Sequence, residues 1–121
     1  MRYDSIIEVE STPFLSFKLG KEKFIIPVNK IKEILEVPKI TKIPLAEKYL
    51  VGVINLRGSV LPLIDTRIKF NMGKIEHTIN TCVLVLSVDI DGETQTVGAL
   101  VDSVSAVLEL QSSEIKKTPA I

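Results

Sequence analysis

The sequence holds one cysteine, one histidine, no tryptophan and only 5% aromatic residues, and each shortage closes off a class of protein. A lone thiol, Cys82, has no partner for an intramolecular disulfide, so a disulfide-stapled secreted domain is excluded and a cytosolic setting is the simplest reading. With His77 as the one imidazole, the usual ligand sets of a structural zinc site are missing, and neither a metal nor a cofactor is expected. Charge of one sign is also lacking: 15 Lys and Arg balance 15 Asp and Glu, so nothing favours a phosphate backbone or an anionic membrane, and nucleic acid is not an expected partner. No apolar run approaches the roughly 18 residues of a spanning helix, and the acidic, interrupted stretch Met1 to Glu10 is unlike a signal peptide; membrane insertion is not expected. A length of 121 residues leaves no room for a catalytic domain beside a partner-binding one.

What is present is aliphatic. Apolar residues make up 45% of the chain, and their Ile, Val and Leu favour strands. Residues 1–13 lack a sustained period and read as a loosely docked arm. Phe14 to Leu19 and Phe24 to Val28, joined by Gly20-Lys21-Glu22, read as a hairpin, with Pro27 limiting where the second strand can donate. Asn29 is a good helix N-cap, and Ile31, Ile34 and Leu35 follow at i, i+3, i+4 spacing, so a short helix ending at Val37-Pro38 is expected. Ile40 to Pro44 is a short extended piece, and Val51 to Leu56 a strand in which Gly52 marks a bulge or a close backbone approach. Arg57-Gly58 makes the turn into a return strand, Ser59 to Asp65, continued outward by Thr66 to Phe70. Residues 71–80 are the linker candidate. Thr81 to Val88, an Asp91-Gly92 turn and Val97 to Val101 form a second hairpin.

That hairpin repeats the first. Phe24 to Leu35 (FIIPVNKIKEIL) and Val97 to Leu108 (VGALVDSVSAVL) match in register, pairing Val28 with Val101, Asn29 with Asp102, Ile31 with Val104, Ile34 with Val107 and Leu35 with Leu108. The pattern implies two small β units of one plan, residues 14–70 and 81–121. The second copy has no equivalent of Tyr49 to Phe70, so it is expected to be incomplete, with interior residues such as Val83, Val85 and Val101 exposed, residues from Ser112 onward poorly anchored, and strand exchange between copies invited.

Catalytic chemistry is thinly supplied. His77 falls in the linker, Cys82 opens an apolar strand where a buried, inert thiol is expected, and Asp65, Asp89, Asp91 and Asp102 sit at strand ends or turns as cap and turn residues. No glycine-rich strand-to-helix loop occurs to hold a phosphate. Arg57 is more informative, because a turn tip between apolar strands holds its guanidinium outside a rigid scaffold, where it can address a carboxylate; Glu33 can pair with it if the two segments meet.

The run GVINLRGSVLPLIDTR, Gly52 to Arg67, closely resembles the CheW-like coupling proteins of bacterial chemotaxis, and the resemblance extends over residues 14–120. It implies an all-β fold of two packed SH3-like, five-stranded β barrels with a short helix, the second barrel incomplete at the C-terminus. It implies an adaptor without catalysis, cytoplasmic at receptor arrays, that binds the regulatory domain of the histidine kinase CheA and the cytoplasmic tip of a chemoreceptor. The receptor-facing positions of the family match Ile31, Glu33, Gly52 and Arg57, and the kinase-facing ones Lys116 and Ile121. Within the family, the alternatives are a module of a pilus-type or other Che-like pathway, or one cut from a multidomain protein with a receiver domain. Outside it stands a small β-barrel enzyme or nucleic-acid-binding module. Ile25 departs from the family's pattern, in which glycine is frequent at that position.

Overall fold

The computed structural model describes residues 11–111, with side chains for 13–109. The strands are β1 (Ser11–Leu19), β2 (Glu22–Pro27), β3 (Ile31–Glu36), β4 (Leu50–Leu56), β5 (Ser59–Asp65), β6 (Cys82–Ile90), β7 (Glu93–Val101) and β8 (Ser103–Gln111), with one short helix, α1 (Thr66–Lys69). Two-residue loops close three hairpins. Arg57 and Gly58 carry φ of 50° and 87°, and Asp91 and Gly92 carry 51° and 82°, the left-handed pair that matches the twist of the flanking strands.

Pairing is reciprocal between the two repeats. The strands form two sheets in the orders β2-β1-β8 and β3-β6-β7-β5-β4, so each repeat sends its third strand to the first strand of the other: β3 lies on β6, and β8 on β1. Even the irregularities correspond. The β3–β6 ladder skips Lys32, since Ile31 pairs with Leu86 and Glu33 with Val85, and the β8–β1 ladder skips Ser105, since Val104 pairs with Phe17 and Ala106 with Ser16. Lys32 and Ser105 are equivalent in the sequence repeat. Pro27 and Pro62 sit where a missing donor costs no ladder bond: Pro27 ends β2, an edge strand, and Pro62 precedes the β5–β7 pairing, which begins at Leu63.

Two cores lie back to back on β6 and β7. Cys82, Leu84, Leu86, Val97, Ala99 and Val101 face one cluster, which Leu15, Phe17, Leu19 and Ile26 complete from the smaller sheet. Val83, Val85 and Leu100 face the other, with Ile54, Leu61, Leu63 and Ile75. Burial on both faces is why β6 reads as a continuous apolar run and does not alternate.

Several expectations are corrected. No helix follows Asn29: Val28–Lys30 is a single 3-10 turn and Ile31–Glu36 is strand. The bulge at Lys32 is the reason, because one extra residue puts Ile31 and Ile34, three apart, on the same side of the sheet, the spacing a helix face would show. The short helix stands instead at Thr66–Lys69, in the segment expected to carry the return strand outward. Residues 11–13 of the expected arm belong to β1, and the rest of the arm lies outside the described residues. Val83, Val85 and Val101 are not exposed; they retain 0%, 1% and 0% of their accessible surface. Exposed aliphatics on β3 and β8 include Ile34, Val104, Val107 and Leu108. Residues from Ser112 onward are outside the described residues.

Asp65 organises the passage between the repeats. Its carboxylate caps α1 by accepting from the Ile68 N–H at 3.1 Å, and accepts from the Ile75 N–H at 3.1 Å, while the Thr66 hydroxyl donates to the Leu100 carbonyl at 2.6 Å. Residues 72–79, without helix or strand, are thereby held as a strap that seats Ile75 in the second core. Asp65→Ala orphans two N–H groups and removes a cap, so a loss of about 2–4 kcal/mol is expected in urea denaturation. Unchanged stability would mean that Ile75 holds the strap alone.

Candidate functional site

The site begins with a tight turn. The Asn55 Oδ1 accepts from the Gly58 N–H at 3.0 Å, holding the β4–β5 hairpin tip in the conformation that projects Arg57. Glu33 reaches it from β3, turned by the bulge to the side of Val85. The two make a bidentate pair, Arg57 Nη2 to Glu33 Oε1 and Nη1 to Oε2 at 3.3 Å. β3 and β4 are opposite edges of the five-stranded sheet, so the sheet curls until its edges are linked by this ion pair and not by a strand ladder.

Beneath the pair the second core opens into a shallow cleft lined by Lys32, Glu33, Leu56, Arg57, Ser59, Leu61, Val85 and Thr96. Leu56, Leu61 and Val85 make its apolar floor. Lys32 lies on the rim with its ammonium donating to the Thr96 Oγ1 at 2.8 Å, across β6. The hydrogen bonds from Arg57 hold the Glu33 carboxyl below the usual carboxylate range, more than partial desolvation raises it, and the guanidinium charge adds to the same direction. Glu33 in turn pushes Arg57 up, by hydrogen bonding first and charge second.

Of the residues picked from sequence, the structure unites Glu33 and Arg57. Ile31 packs on the other face of the sheet, against the first core. Gly52 is buried, and a Cβ there would stand 2.3 Å from the Thr41 carbonyl oxygen. That close approach is the bridge in which Thr41 and Val53 exchange hydrogen bonds of 2.9 and 2.8 Å, and the β4–β5 register also shifts at this point, so both features read into Gly52 are present. Lys116 and Ile121 lie outside the described residues. Lys32 and Thr96 were missed; a bulge signal at Lys32 would have found the first, but none stands in the local sequence.

Groups weighed for catalysis have structural surroundings. Cys82 is buried, and desolvation pushes its thiol up, away from reactivity. His77 is exposed. Asp89 accepts from Thr94 at 2.9 Å, Asp91 occupies a turn, and Asp102 accepts from the Gly20 N–H at 2.5 Å and pairs with Arg67 at 3.5 Å. Among the described residues no group of acidic, histidine or cysteine side chains is placed to hold a metal ion, and no helix is long and apolar enough to cross a membrane.

Fold and site together define a small β scaffold whose distinctive surface is a charged-rimmed, apolar-floored cleft. Comparison with known proteins agrees: the CheW-like domain matches residues 13–121, and the chain belongs to that family. It is 37% identical over 112 residues to the chemotaxis protein CheW of Klebsiella aerogenes, covering 93% of this chain and 65% of that protein. The corresponding values for CheW of Bacillus subtilis are 36% over 104 residues, 85% and 64%. Among solved structures, the scaffolding protein TtCheW from Thermoanaerobacter tengcongensis matches with a TM-score of 0.77 and 28% identity over 85% of this chain and 68% of that one. The fold is thus the all-β, SH3-like one of that scaffold. The chain spans just under two thirds of the length of these two curated relatives, 65% and 64%.

Two measurements check the site. In a carboxyl NMR titration Glu33 should titrate below the ordinary carboxylate range and move back up in Arg57→Ala. Because its folded value is lowered, the pair's stabilisation is present above the unfolded pKa and fades as pH falls through the folded one; an unmoved midpoint in the variant would show that the pair does not persist in solution. Gly52→Ala, with a Cβ inside the Thr41 peptide's contact distance, should lower stability by about 1–3 kcal/mol, and a silent substitution would place Thr41 elsewhere.

Proposed function

We propose that this chain is a non-enzymatic adaptor that couples chemoreceptors to the histidine kinase CheA in bacterial chemotaxis, in the cytoplasm at receptor arrays. Membership of the CheW-like family supports the pathway. The observation that carries the reading is the Arg57–Glu33 pair on a rigid hairpin tip above an apolar cleft. Such a surface can seat a partner's side chain beside a guanidinium that Glu33 orients and whose remaining N–H groups are left to donate. In this reading Glu33 and Arg57 meet the receptor's cytoplasmic helical tip, and Gly52 acts through the backbone approach that sets β4. Ile31, on the far face, supports β3 from behind. The kinase's regulatory domain docks on a separate surface to which Lys116 and Ile121 contribute. A second reading, the same module in a pilus-type pathway, draws on a 33% identity over 57 residues to Protein PilI of Pseudomonas aeruginosa, 47% of this chain.

Co-precipitation with a receptor tip fragment and with the kinase regulatory domain separates these readings from an enzyme or a nucleic-acid module; retention of RNA with neither protein would defeat the proposal. Arg57→Glu should weaken receptor binding about tenfold or more, the consequence of reversing one partner of an interfacial charge set, and leave kinase binding and the melting curve nearly unchanged. Equal loss of both partners, or a lowered melting temperature, would make Arg57 structural.

A further inference from the structure

Arg57 already has a carboxylate. Its guanidinium is matched by Glu33 in fork geometry, so the pair adds little net charge to the cleft. Lys32 is different: among the described residues it forms no ion pair, and its ammonium rests on the neutral Thr96 hydroxyl at 2.8 Å. The surplus positive charge on the rim is therefore Lys32's. Its position is built, since the register shift leaves Lys32 unpaired between Ile31, opposite Leu86, and Glu33, opposite Val85, and a bulge is a device for re-aiming a side chain. Thr96, opposite Ser87 on the neighbouring strand, then holds the ammonium over the sheet.

We infer that Lys32 is a specificity-determining residue of this cleft: it receives a carboxylate from a partner helix whose neighbouring apolar side chain seats against Leu56, Leu61 and Val85. The inference rests on the receptor-binding reading of the same site and adds the chemistry of the partner's contact. The floor is made of side chains, Leu56 from β4, Leu61 from β5 and Val85 from β6, so a guest seated on it engages through its own side chains. On a helix an acidic and an apolar residue three or four positions apart lie about 5–6 Å apart on one face, a span suited to a rim cation beside an apolar floor. The Thr96 hydroxyl keeps the ammonium oriented without neutralising it, leaving the other two donors of the ammonium for the incoming carboxylate.

Binding of the full 121-residue chain to a receptor-tip helical hairpin fragment, measured by calorimetry at several salt concentrations, tests this, with circular dichroism melting to verify each variant's fold. Lys32→Gln should weaken binding about threefold to fivefold and flatten the salt dependence, and Lys32→Glu should weaken it about tenfold or more. Thr96→Val should cost about twofold. A fragment carboxylate whose neutralisation weakens wild-type binding and has no further effect on Lys32→Gln identifies the partner group. If both Lys32 variants bind like wild type, or Lys32→Glu binds more tightly, while Arg57→Glu loses binding, the inference is overturned and the receptor reading stands. If Arg57→Glu also binds like wild type, or the wild-type chain does not bind the fragment at all, both are overturned.

Discussion

The structure depends on two strands that are buried on both faces. β6 and β7 place Leu84, Leu86, Ala99 and Val101 in one core and Val83, Val85 and Leu100 in the other, so neither core can form without the pair they share. At 121 residues a chain has little apolar surface to remove from water, and using each central strand twice is how this one builds two cores. The reciprocal exchange of third strands, β3 onto β6 and β8 onto β1, follows from the same constraint. Each repeat's hairpin has an edge that needs a neighbour, and the other repeat supplies it.

The site is a consequence of how the larger sheet closes. Its edge strands, β3 and β4, come round toward one another without a hydrogen-bonded ladder between them, and an exposed ion pair takes the ladder's place. A solvated pair of this kind holds geometry more than it holds the fold together. The cleft beneath is the place where the second core runs out of strands to cover it. An apolar floor with a charged rim therefore arises where closure is incomplete; Asp65, Asp89 and Asp102 are engaged in capping, hairpin and strap contacts.

The skipped residues at Lys32 and Ser105 show what the repeat preserves. Both copies bulge at the same position although one side chain is a lysine and the other a serine, so the backbone irregularity belongs to the plan of the unit and not to either residue. In the first copy the bulge faces the cleft and brings Lys32 beside Glu33. In the second it lies on β8, whose exposed Val104 and Val107 stand away from the cleft lining. One local device thus has different consequences in its two settings.

Much of this was legible in the residues. The hairpins at Gly20, Arg57-Gly58 and Asp91-Gly92, the internal repeat, the close approach at Gly52, the buried thiol and the capping role of Asp65 all follow from local chemistry: turn residues that accept positive φ, apolar period, and side chains that bond their own neighbourhood. The helix expected after Asn29 failed because an apolar spacing of three is produced equally by a helix and by a strand with one residue skipped; pairing against β6 puts Ile31 and Ile34 on one face and Leu35 on the other. The burial of Val83, Val85 and Val101, the strap through Ile75, and the meeting of Lys32 with Thr96 and of Glu33 with Arg57 were decided in three dimensions. Each joins segments dozens of residues apart in the chain or depends on which strand lies next to which, and pairing order is a property of the whole sheet that no local stretch of sequence contains.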